Sequence, residues 1–261
     1  MKEMKKNGRR IIIGDVHGHY DGLMALLEAI APGKKDEVYF LGDLIDRGPK
    51  SAQVVNFVRK SPYKCLLGNH ENMMLNAMPE GRVDEGAWQA WLYSGGRETI
   101  ESYRDMEVMP YEDLQWISSL PTYLDLGDVW LVHAGVHPEM PLEEQTINEF
   151  CWIRKDFHKI EKPFFKDKLI IIGHTITFTF EGVEPGELVG GNGWLGIDTS
   201  AYHHKSGWLT GLDIDNNVAY QVNVFDNLKR ELPLEEILKQ LNVKSEEKNS
   251  SLLSRLLSLK L

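Results

Sequence analysis

Short apolar runs in this sequence repeatedly end at glycine or at a side chain that can bind metal. Five such runs occupy residues 11–13, 38–41, 65–67, 130–132 and 169–172. Runs of three to five apolar residues bounded by glycine are typical of buried strands. The carboxyl ends of such strands converge at one edge of a sheet, so we expect the polar side chains that follow them to meet there.

Helical spacing follows the first two runs. Apolar residues recur at this spacing over 21–30 and 51–60, with Asp21 and Ser51 as predicted N-caps. This alternation of strand and helix favours a sheet covered by helices. The second half is rich in predicted strands, at 123–126, 130–132, 169–172, 194–198, 207–213 and 219–224. We therefore predict an α/β fold with two packed mixed β-sheets flanked by helices.

The same pattern predicts one catalytic domain over residues 1–231. Scattered apolar residues with a tryptophan cluster predict a helical insertion at about 72–120 that covers the site. The glycine-rich, acidic segment 178–193 is expected to be a variable loop at its rim. Leucines at helical spacing predict a helical tail over 232–261, which could pack on its own domain, pair with another copy to form an oligomer, or be partly disordered.

Composition narrows the class of protein. The 261 residues carry a formal net charge of −10, and the pI is near 5.4, which argues against a nucleic-acid backbone as the main partner. The basic start is followed by an apolar stretch too short for a signal peptide or a membrane span. Cys65 and Cys151 show no paired spacing, so we expect reduced, buried thiols and a cytoplasmic location.

The side chains at the predicted strand ends form one chemical set of carboxylate, imidazole and amide donors. Such donors suit manganese, iron, zinc or magnesium better than copper(I) or an iron–sulfur cluster. No cysteine belongs to the set.

Five motifs, in this order and spacing, carry a resemblance to a known family. They are GDVHGHYD at 14–21, GDLIDRGPKS at 42–51, GNHE at 68–71, HAG at 133–135 and GH at 173–174. They resemble the calcineurin-like metallophosphoesterases of the phosphoprotein-phosphatase type, in particular the bacterial and phage serine/threonine phosphatase branch. The resemblance extends over residues 11–211.

The resemblance implies a metallophosphoesterase αββα sandwich with two divalent metal ions, above all Mn²⁺, with Fe, Zn or Mg as alternatives. A hydroxide that bridges the ions would attack the phosphorus atom. Asp43 would bridge the two ions, and His70, oriented by Asp46, would protonate the leaving group. Arg47, Arg154 and Asn69 would bind substrate, the arginines by gripping the phosphate. The implied metal ligands are Asp15, His17 and Asp43 for one ion, and Asp43, Asn69, His133 and His174 for the other.

This chemistry leaves two substrate classes open. The leading prediction is a serine/threonine protein phosphatase that hydrolyses phosphomonoesters. The alternative is a hydrolase of dinucleoside polyphosphates, of the diadenosine tetraphosphate type, or of nucleotide caps. Lysines after Arg154 could bind a phosphate chain, although a solvated face is the more frequent meaning of such a run. A non-catalytic binding module is disfavoured because every donor and both arginines are present.

Other residues receive plainer interpretations. Glu71 is predicted to anchor the ligand loops, and the tryptophans are expected in the core or in the cover rather than stacked on bases. The family pattern has proline where this chain has Ile176, and glycine where it has Ser200. These two departures place the shape of the loops, and hence the substrate preference, in doubt. The remaining histidines have no ligand-like spacing, although a substrate contact stays open for the last two; they are His19, His137, His158, His203 and His204.

Overall fold

Two six-stranded sheets form the centre of the molecule. The computed structural model describes residues 8–79, 82–104 and 109–241. Its strands are β1 (Arg10–Ile13), β2 (Glu37–Phe40), β3 (Lys64–Cys65), β4 (Tyr123–Asp125), β5 (Val129–Val132), β6 (Leu169–Ile172), β7 (Leu188–Gly191), β8 (Trp194–Gly196), β9 (Trp208–Asp213), β10 (Val218–Asn223), β11 (Lys229–Pro233) and β12 (Leu238–Gln240).

Each sheet mixes parallel and antiparallel pairs. The first has the order β11-β10-β9-β1-β2-β3, and the second has the order β12-β7-β8-β6-β5-β4. In the first, β1, β2 and β3 are parallel, whereas β9 runs antiparallel to β1. In the second, β5, β6 and β8 are parallel. The carboxyl ends of the parallel strands therefore bring the five predicted ligand segments towards one rim.

The two sheets pack face to face. Ile12 from β1 shares one buried cluster with Leu131 from β5 and Ile171 from β6. Ile11 and Ile13 point to the opposite face of the first sheet, where they pack against helices. Side chains alternate between the faces of a strand, so burial of both faces explains why these runs are apolar without interruption. The predicted α/β sandwich is confirmed.

Helices cover both outer faces. They are α1 (Tyr20–Ile30), α2 (Ser51–Lys60), α3 (Asn69–Ala77), α4 (Glu85–Trp91), α5 (Arg97–Ser102), α6 (Tyr111–Ser118), α7 (Ile147–Trp152), α8 (Lys155–His158) and α9 (Leu234–Ile237). None of the helices in the described part of the chain is long and apolar enough to span a bilayer. Cys65 and Cys151 are buried free thiols, as predicted. The cytoplasmic location stays a prediction.

The predicted N-caps of the first two helices are wrong. Residue His19 precedes α1, and Asp21 lies in its first turn, where a carboxylate still interacts favourably with the helix dipole. Lys50 precedes α2, and Ser51 is its first residue. The Ser51 hydroxyl instead accepts a hydrogen bond from the backbone N–H of Asp46 (3.1 Å). Ser51 therefore contacts the neighbouring ligand loop instead of capping α2. This tertiary contact cannot be predicted from the local sequence.

The chain between β3 and β4 is helical, as predicted for residues 72–120, in its described part. It contains α3, α4, α5 and α6. Between α4 and α5 the turn Leu92–Gly96 is kinked at Gly95, whose φ is +113°. The carbonyl of Gly95 accepts a hydrogen bond from the Arg47 N–H (3.1 Å), so the kink lies directly on a ligand loop.

Two predictions about the second half need correction. Segment 178–193 is not only a rim loop, because it contains β7, which pairs with β8 and β12. A Cβ on Gly191 would lie 2.3 Å from ring atoms of Trp194, so this glycine serves close strand packing rather than a loop. The predicted tail boundary falls inside β11, and residues up to 241 add α9 and β12. Residues 242–261 lie outside the described part.

Candidate metal centre

The loops at the shared rim hold their side chains with unusual backbone geometry. Positive φ angles occur at His17 (46°), Asp43 (50°), Asp46 (72°), Arg47 (68°) and His174 (63°). Left-handed backbone is uncommon for non-glycine residues and is found where surrounding contacts enforce it, often at functional sites. All five residues belong to the motifs predicted to carry the chemistry.

One donor group draws on both sheets. Ligand atoms of Asp43, His133 and His174 all lie within 4.8 Å of one another, and all three residues are buried. The side-chain oxygen of Asn69 lies 2.9 Å from His133 Nε2 and 2.8 Å from His174 Nδ1. His133 Nε2 is also 3.4 Å from an Asp43 oxygen. The predicted ligands of one ion are therefore brought together.

These donors fit a cation by their chemistry. His133 Nδ1 lies 2.8 Å from the carbonyl oxygen of Leu41, which fixes the ring proton on Nδ1 and leaves a lone pair on Nε2. That lone pair faces the Asn69 oxygen, itself an acceptor. Two acceptors at this separation need a proton or a metal ion between them. His174 Nε2 is buried, and none of the residues that the structure describes gives it a hydrogen-bond partner.

A second donor group shares Asp43 with the first. It consists of His17, Asp43 and His70, whose ligand atoms also lie within 4.8 Å of one another. His17 Nδ1 is 3.0 Å from the Ile45 carbonyl, which places the ring proton on Nδ1 and the lone pair on Nε2. His17 Nε2 lies 3.7 Å from an Asp43 oxygen and 2.8 Å from Arg47 Nη1. His70 Nε2 is 3.9 Å from the same oxygen. Asp43 therefore belongs to both groups, which is the position expected of a ligand that bridges two metal ions.

Asp15 borders the groups without belonging to either. Its carboxylate accepts a hydrogen bond from the backbone N–H of His174 (3.0 Å). Burial and the nearby carboxylates of Asp198 and Asp43 raise the pKa of Asp15 well above its ordinary value. Bound cations would favour the ionised form of these crowded carboxylates. The structure thus brings every predicted ligand to one site, although it places Asp15 at its edge.

The protonation states also suit metal binding. Burial lowers the pKa of His17 and His174 well below the ordinary histidine value, which keeps both rings neutral with a lone pair to donate. Burial alone would raise the pKa of Asp43, but His133 and the other neighbouring imidazoles hold it far below its ordinary value. Neutral imidazoles beside an ionised carboxylate are the donor states that divalent ions require.

The two arginines lie beside these donors. Arg47 Nη1 is 2.8 Å from His17 Nε2. Arg154 Nη1 donates to the His174 carbonyl (3.3 Å) and to the Thr175 hydroxyl (3.0 Å). The structure thus places both arginines at the edge of the donor cluster, and guanidinium is a group whose forked geometry suits phosphate oxygens.

Two anchoring predictions concern carboxylates behind the donors. Glu71 accepts hydrogen bonds from the backbone N–H groups of Asp43 (2.8 Å), Leu44 (2.7 Å) and Gly68 (3.0 Å), so it ties two ligand loops together. Asp46 lies 2.6 Å from His70 Nδ1, the pairing that the resemblance implies.

Sequence reasoning missed four residues at this site. Asp198 is 2% exposed, and burial raises its pKa to about 6. The Tyr202 ring lies against the Arg47 guanidinium, 4.2 Å from ring centroid to Cζ. Trp91 and Thr99 both donate hydrogen bonds to Asp46. Asp198 and Tyr202 follow β8 closely in sequence. The rule that polar residues after an apolar strand lie at the site could therefore have identified them.

The other histidines lie outside both donor groups. His158 is buried among the rings of Phe180 and Trp194, at centroid distances of 5.0 and 5.3 Å. His203 and His204 are exposed, and the latter stacks on Phe225 at 4.8 Å. Ser200 adopts the left-handed backbone, with a φ of 62°, that glycine would take more easily.

A protein-family comparison decides what this arrangement is. The model of the calcineurin-like phosphoesterases matches residues 8–195, which include every donor described above. The chain belongs to the calcineurin-like phosphoesterase family. This is a family of metal-dependent phosphoester hydrolases, so the metal-type geometry and the family assignment agree.

Curated relatives of this phosphoesterase carry one recurrent name. A symmetrical bis(5′-nucleosyl)-tetraphosphatase of Coxiella burnetii is 31% identical over 150 residues, which are 56% of this chain and 48% of the relative. The protein of the same name from Psychromonas ingrahamii is 46% identical over 142 residues, or 51% and 46% of the two chains. The chain thus spans about half the length of these curated relatives.

Solved structures share the fold. One, provisionally described as a diadenosine tetraphosphatase, superposes with a TM-score of 0.56 at 20% identity over 88% of this chain and 95% of that chain. A cold-active protein tyrosine phosphatase gives a TM-score of 0.53 at 19% identity, covering 89% and 80%. Because these identities are low, the likeness shows the phosphoesterase fold and not the substrate.

Proposed function

We propose that this phosphoesterase uses two divalent metal ions, above all Mn²⁺, to hydrolyse a phosphoric ester or anhydride. The observation that carries the proposal is the position of Asp43, which is shared by two groups of metal-type donors. One ion would be held by Asp15, His17 and Asp43. The other would be held by Asp43, Asn69, His133 and His174. When bound, such ions activate water near neutral pH and neutralise charge on the phosphoryl oxygens.

The chain's own residues would orient the substrate and move one proton. Arg47 and Arg154, at the edge of the donors, would bind the phosphoryl oxygens. His70 lies in one donor group, but we assign it to proton transfer. Its Nδ1–H would be held by Asp46 at 2.6 Å, so the doubly protonated ring carries a second proton on Nε2 for the leaving oxygen. A role for His70 as the general acid therefore accounts for the position of the Asp46 carboxylate beside its ring.

For the substrate, we propose a dinucleoside polyphosphate of the bis(5′-nucleosyl) tetraphosphate class. The name shared by the curated relatives supports this choice over the protein phosphatase that motif resemblance favoured. Trp152 gives further support. The sequence placed the tryptophans in the core or in the cover rather than against bases. Trp152 is nevertheless 38% exposed, and its ring lies 6.5 Å from that of His174. Its indole N–H donates to Asn72 Oδ1 (3.2 Å), which fixes an aromatic face that a nucleobase could contact.

The second candidate is a phosphoserine or phosphothreonine in a protein. It rests on the motif resemblance and on the same donor geometry, which serves esters and anhydrides alike. The lysine run does not separate the candidates. Lys168 pairs with Asp125, and the other members are largely solvent-exposed; they are Lys155, Lys159, Lys162 and Lys166.

A direct competition tests the proposal. Chelated protein reloaded with Mn²⁺ is offered diadenosine tetraphosphate and a phosphothreonine peptide at equal concentration, and turnover of each is measured. We expect a preference for the dinucleotide of at least about tenfold in kcat/KM, equivalent to about 1.4 kcal/mol. Cleavage at the centre of the chain should give ADP as the sole nucleotide product.

The controls separate substrate from mechanism. The Asp43→Asn variant should lose turnover of both substrates, which would exclude a contaminating hydrolase. A preference for the peptide would replace the proposed substrate with the second candidate and leave the metal mechanism intact. Hydrolysis of neither substrate would reject both.

A further inference from the structure

The buried carboxylate of Asp46 is held by more than the histidine beside it. Asp46 is 0% exposed. One oxygen lies 2.6 Å from His70 Nδ1, and the other accepts a hydrogen bond from the Thr99 hydroxyl at 2.6 Å. The indole N–H of Trp91 lies 3.0 Å from both oxygens. Three donors therefore fix the plane of this carboxylate as well as its position.

Two of these donors come from the helical insertion. Trp91 is the last residue of α4 and Thr99 lies in α5, on either side of the kinked turn. The turn packs closely against the indole of Trp91. A Cβ on Gly96 would lie only 2.6 Å from atoms of this ring, so a larger residue would not fit there. Gly95 contacts Arg47 at the same time. The insertion is therefore joined to the catalytic loop by directed hydrogen bonds, beyond its predicted role as a cover.

Thr99 binds this loop twice. Its hydroxyl donates to the Asp46 carboxylate and accepts from the Asp46 backbone N–H at 2.8 Å. Asp46 has a left-handed backbone, with a φ of 72°, which costs energy for a residue with a side chain. The contacts from α5 therefore stabilise both the strained backbone and the orientation of the carboxylate.

We propose that Trp91 and Thr99 are positioning residues for leaving-group protonation. This inference rests on the proposed function of His70. The oxygen of an attacking water forms a bond to phosphorus and the water releases one proton to solvent, while the bond from phosphorus to the leaving oxygen breaks. That leaving oxygen takes the proton from His70 Nε2, and His70 regains a proton from solvent. Trp91 and Thr99 keep the Asp46 carboxylate aligned with Nδ1, so the ring holds Nε2 towards the leaving oxygen.

The physical reason is that a buried carboxylate requires its hydrogen-bond donors. Without them, Asp46 would rotate towards another donor or admit water, and the ring of His70 would lose its fixed orientation. General acid catalysis matters most for a poor leaving group, because a good one departs without a proton. Loss of alignment should therefore depend on the substrate.

The test compares two aryl phosphates with the Mn²⁺-loaded enzyme. Trp91→Phe keeps the aromatic ring and removes the N–H, and Thr99→Val removes the hydroxyl. We expect each to lower kcat about tenfold for phenyl phosphate and less than about twofold for p-nitrophenyl phosphate, because only the former needs the acid. KM and bound Mn²⁺ should stay the same. Thr99→Ser should restore kcat.

A matched control uses Trp88→Phe, since the Trp88 ring lies 5.3 Å from that of Trp91 and belongs to the same helix. This variant should behave like wild type with both substrates. Equal loss on both phosphates in Trp91→Phe, or no loss on either, would overturn the inference.

A second measurement does not depend on turnover. In the Zn²⁺-loaded, diamagnetic protein, the His70 Nδ1 proton bound to Asp46 should give a low-field NMR resonance. We expect Trp91→Phe and Thr99→Val to shift or broaden it, and Trp88→Phe to leave it unchanged. An unchanged resonance in both variants would reject the positioning role. Wild-type protein that hydrolyses neither the aryl phosphates nor diadenosine tetraphosphate but keeps this resonance pattern would reject the proposed function alone.

Discussion

The two halves of the site are held together by different forces. In the donor region, Asp43, His133 and His174 bring lone pairs and negative charge towards one another. In the acid region, Asp46 is surrounded by hydrogen-bond donors, with Trp91 and Thr99 in place beside His70. The donor region is incomplete without cations, whereas the acid region is satisfied by protein groups.

The difference follows from where the side chains originate. The donor region draws on strand ends of both sheets, so the sandwich itself fixes its geometry. The acid region joins one loop after β2 to helices of the insertion. Metal binding should therefore depend on the sandwich, and proton transfer should depend on the insertion.

The largest expected effect comes from removing the shared ligand. Asp43→Ala should lower kcat/KM by about 10³-fold or more, because it removes a ligand from both proposed ions at once. Elemental analysis should show less than the full complement of Mn²⁺. Asp21→Ala is the control, since this carboxylate is 73% exposed and lies in the first turn of α1. Full metal content in Asp43→Ala would contradict the bridging position.

A smaller effect is expected when the acid region is disrupted. His70→Ala should lower kcat by about 10²- to 10⁴-fold for a poor leaving group, the range for general acid catalysis. In contrast to Asp43→Ala, it should retain both ions, because the donors of the sandwich remain. Loss of one ion in His70→Ala would show that His70 is a ligand and would merge the two regions.

The smallest effect concerns acid sensitivity away from both regions. Burial lowers the pKa of His158 to about 4, so the folded protein excludes a proton that the unfolded chain binds below its ordinary pKa of 6.5. Stability is therefore lost as the pH falls from 6.5 towards 4. In chelated protein, His158→Phe should reduce the loss of unfolding free energy between pH 7 and pH 5 by about 2 kcal/mol.

Urea unfolding of wild type and variant at both pH values measures this effect. An equal loss in the two proteins would assign acid sensitivity to the site histidines alone. Comparison of the two proteins thus separates the effect of protonating His158 in the core from the effect of protonating the histidines of the donor region.

The sequence by itself determined the sandwich and the donors. Apolar runs ending at glycine are a local pattern, and the ends of parallel strands converge wherever such runs form a sheet. Asp43, His133 and His174 could therefore be predicted to meet. Strand β7 could not be predicted, because its glycines resemble a loop in sequence and only the structure shows Trp194 packed against Gly191.

Only the tertiary structure decided how the acid region is built. Thr99 and Asp46 are 53 positions apart, and the helices between them follow no spacing that points to a carboxylate. Exposure is a second example, because Trp152 and the buried Trp91 look alike in sequence. The end of a strand determines the backbone position of the residue that follows it. Contacts between distant segments determine which hydrogen-bond donors surround its side chain. Local patterns therefore predicted the donor region, and packing of the insertion determined the acid region.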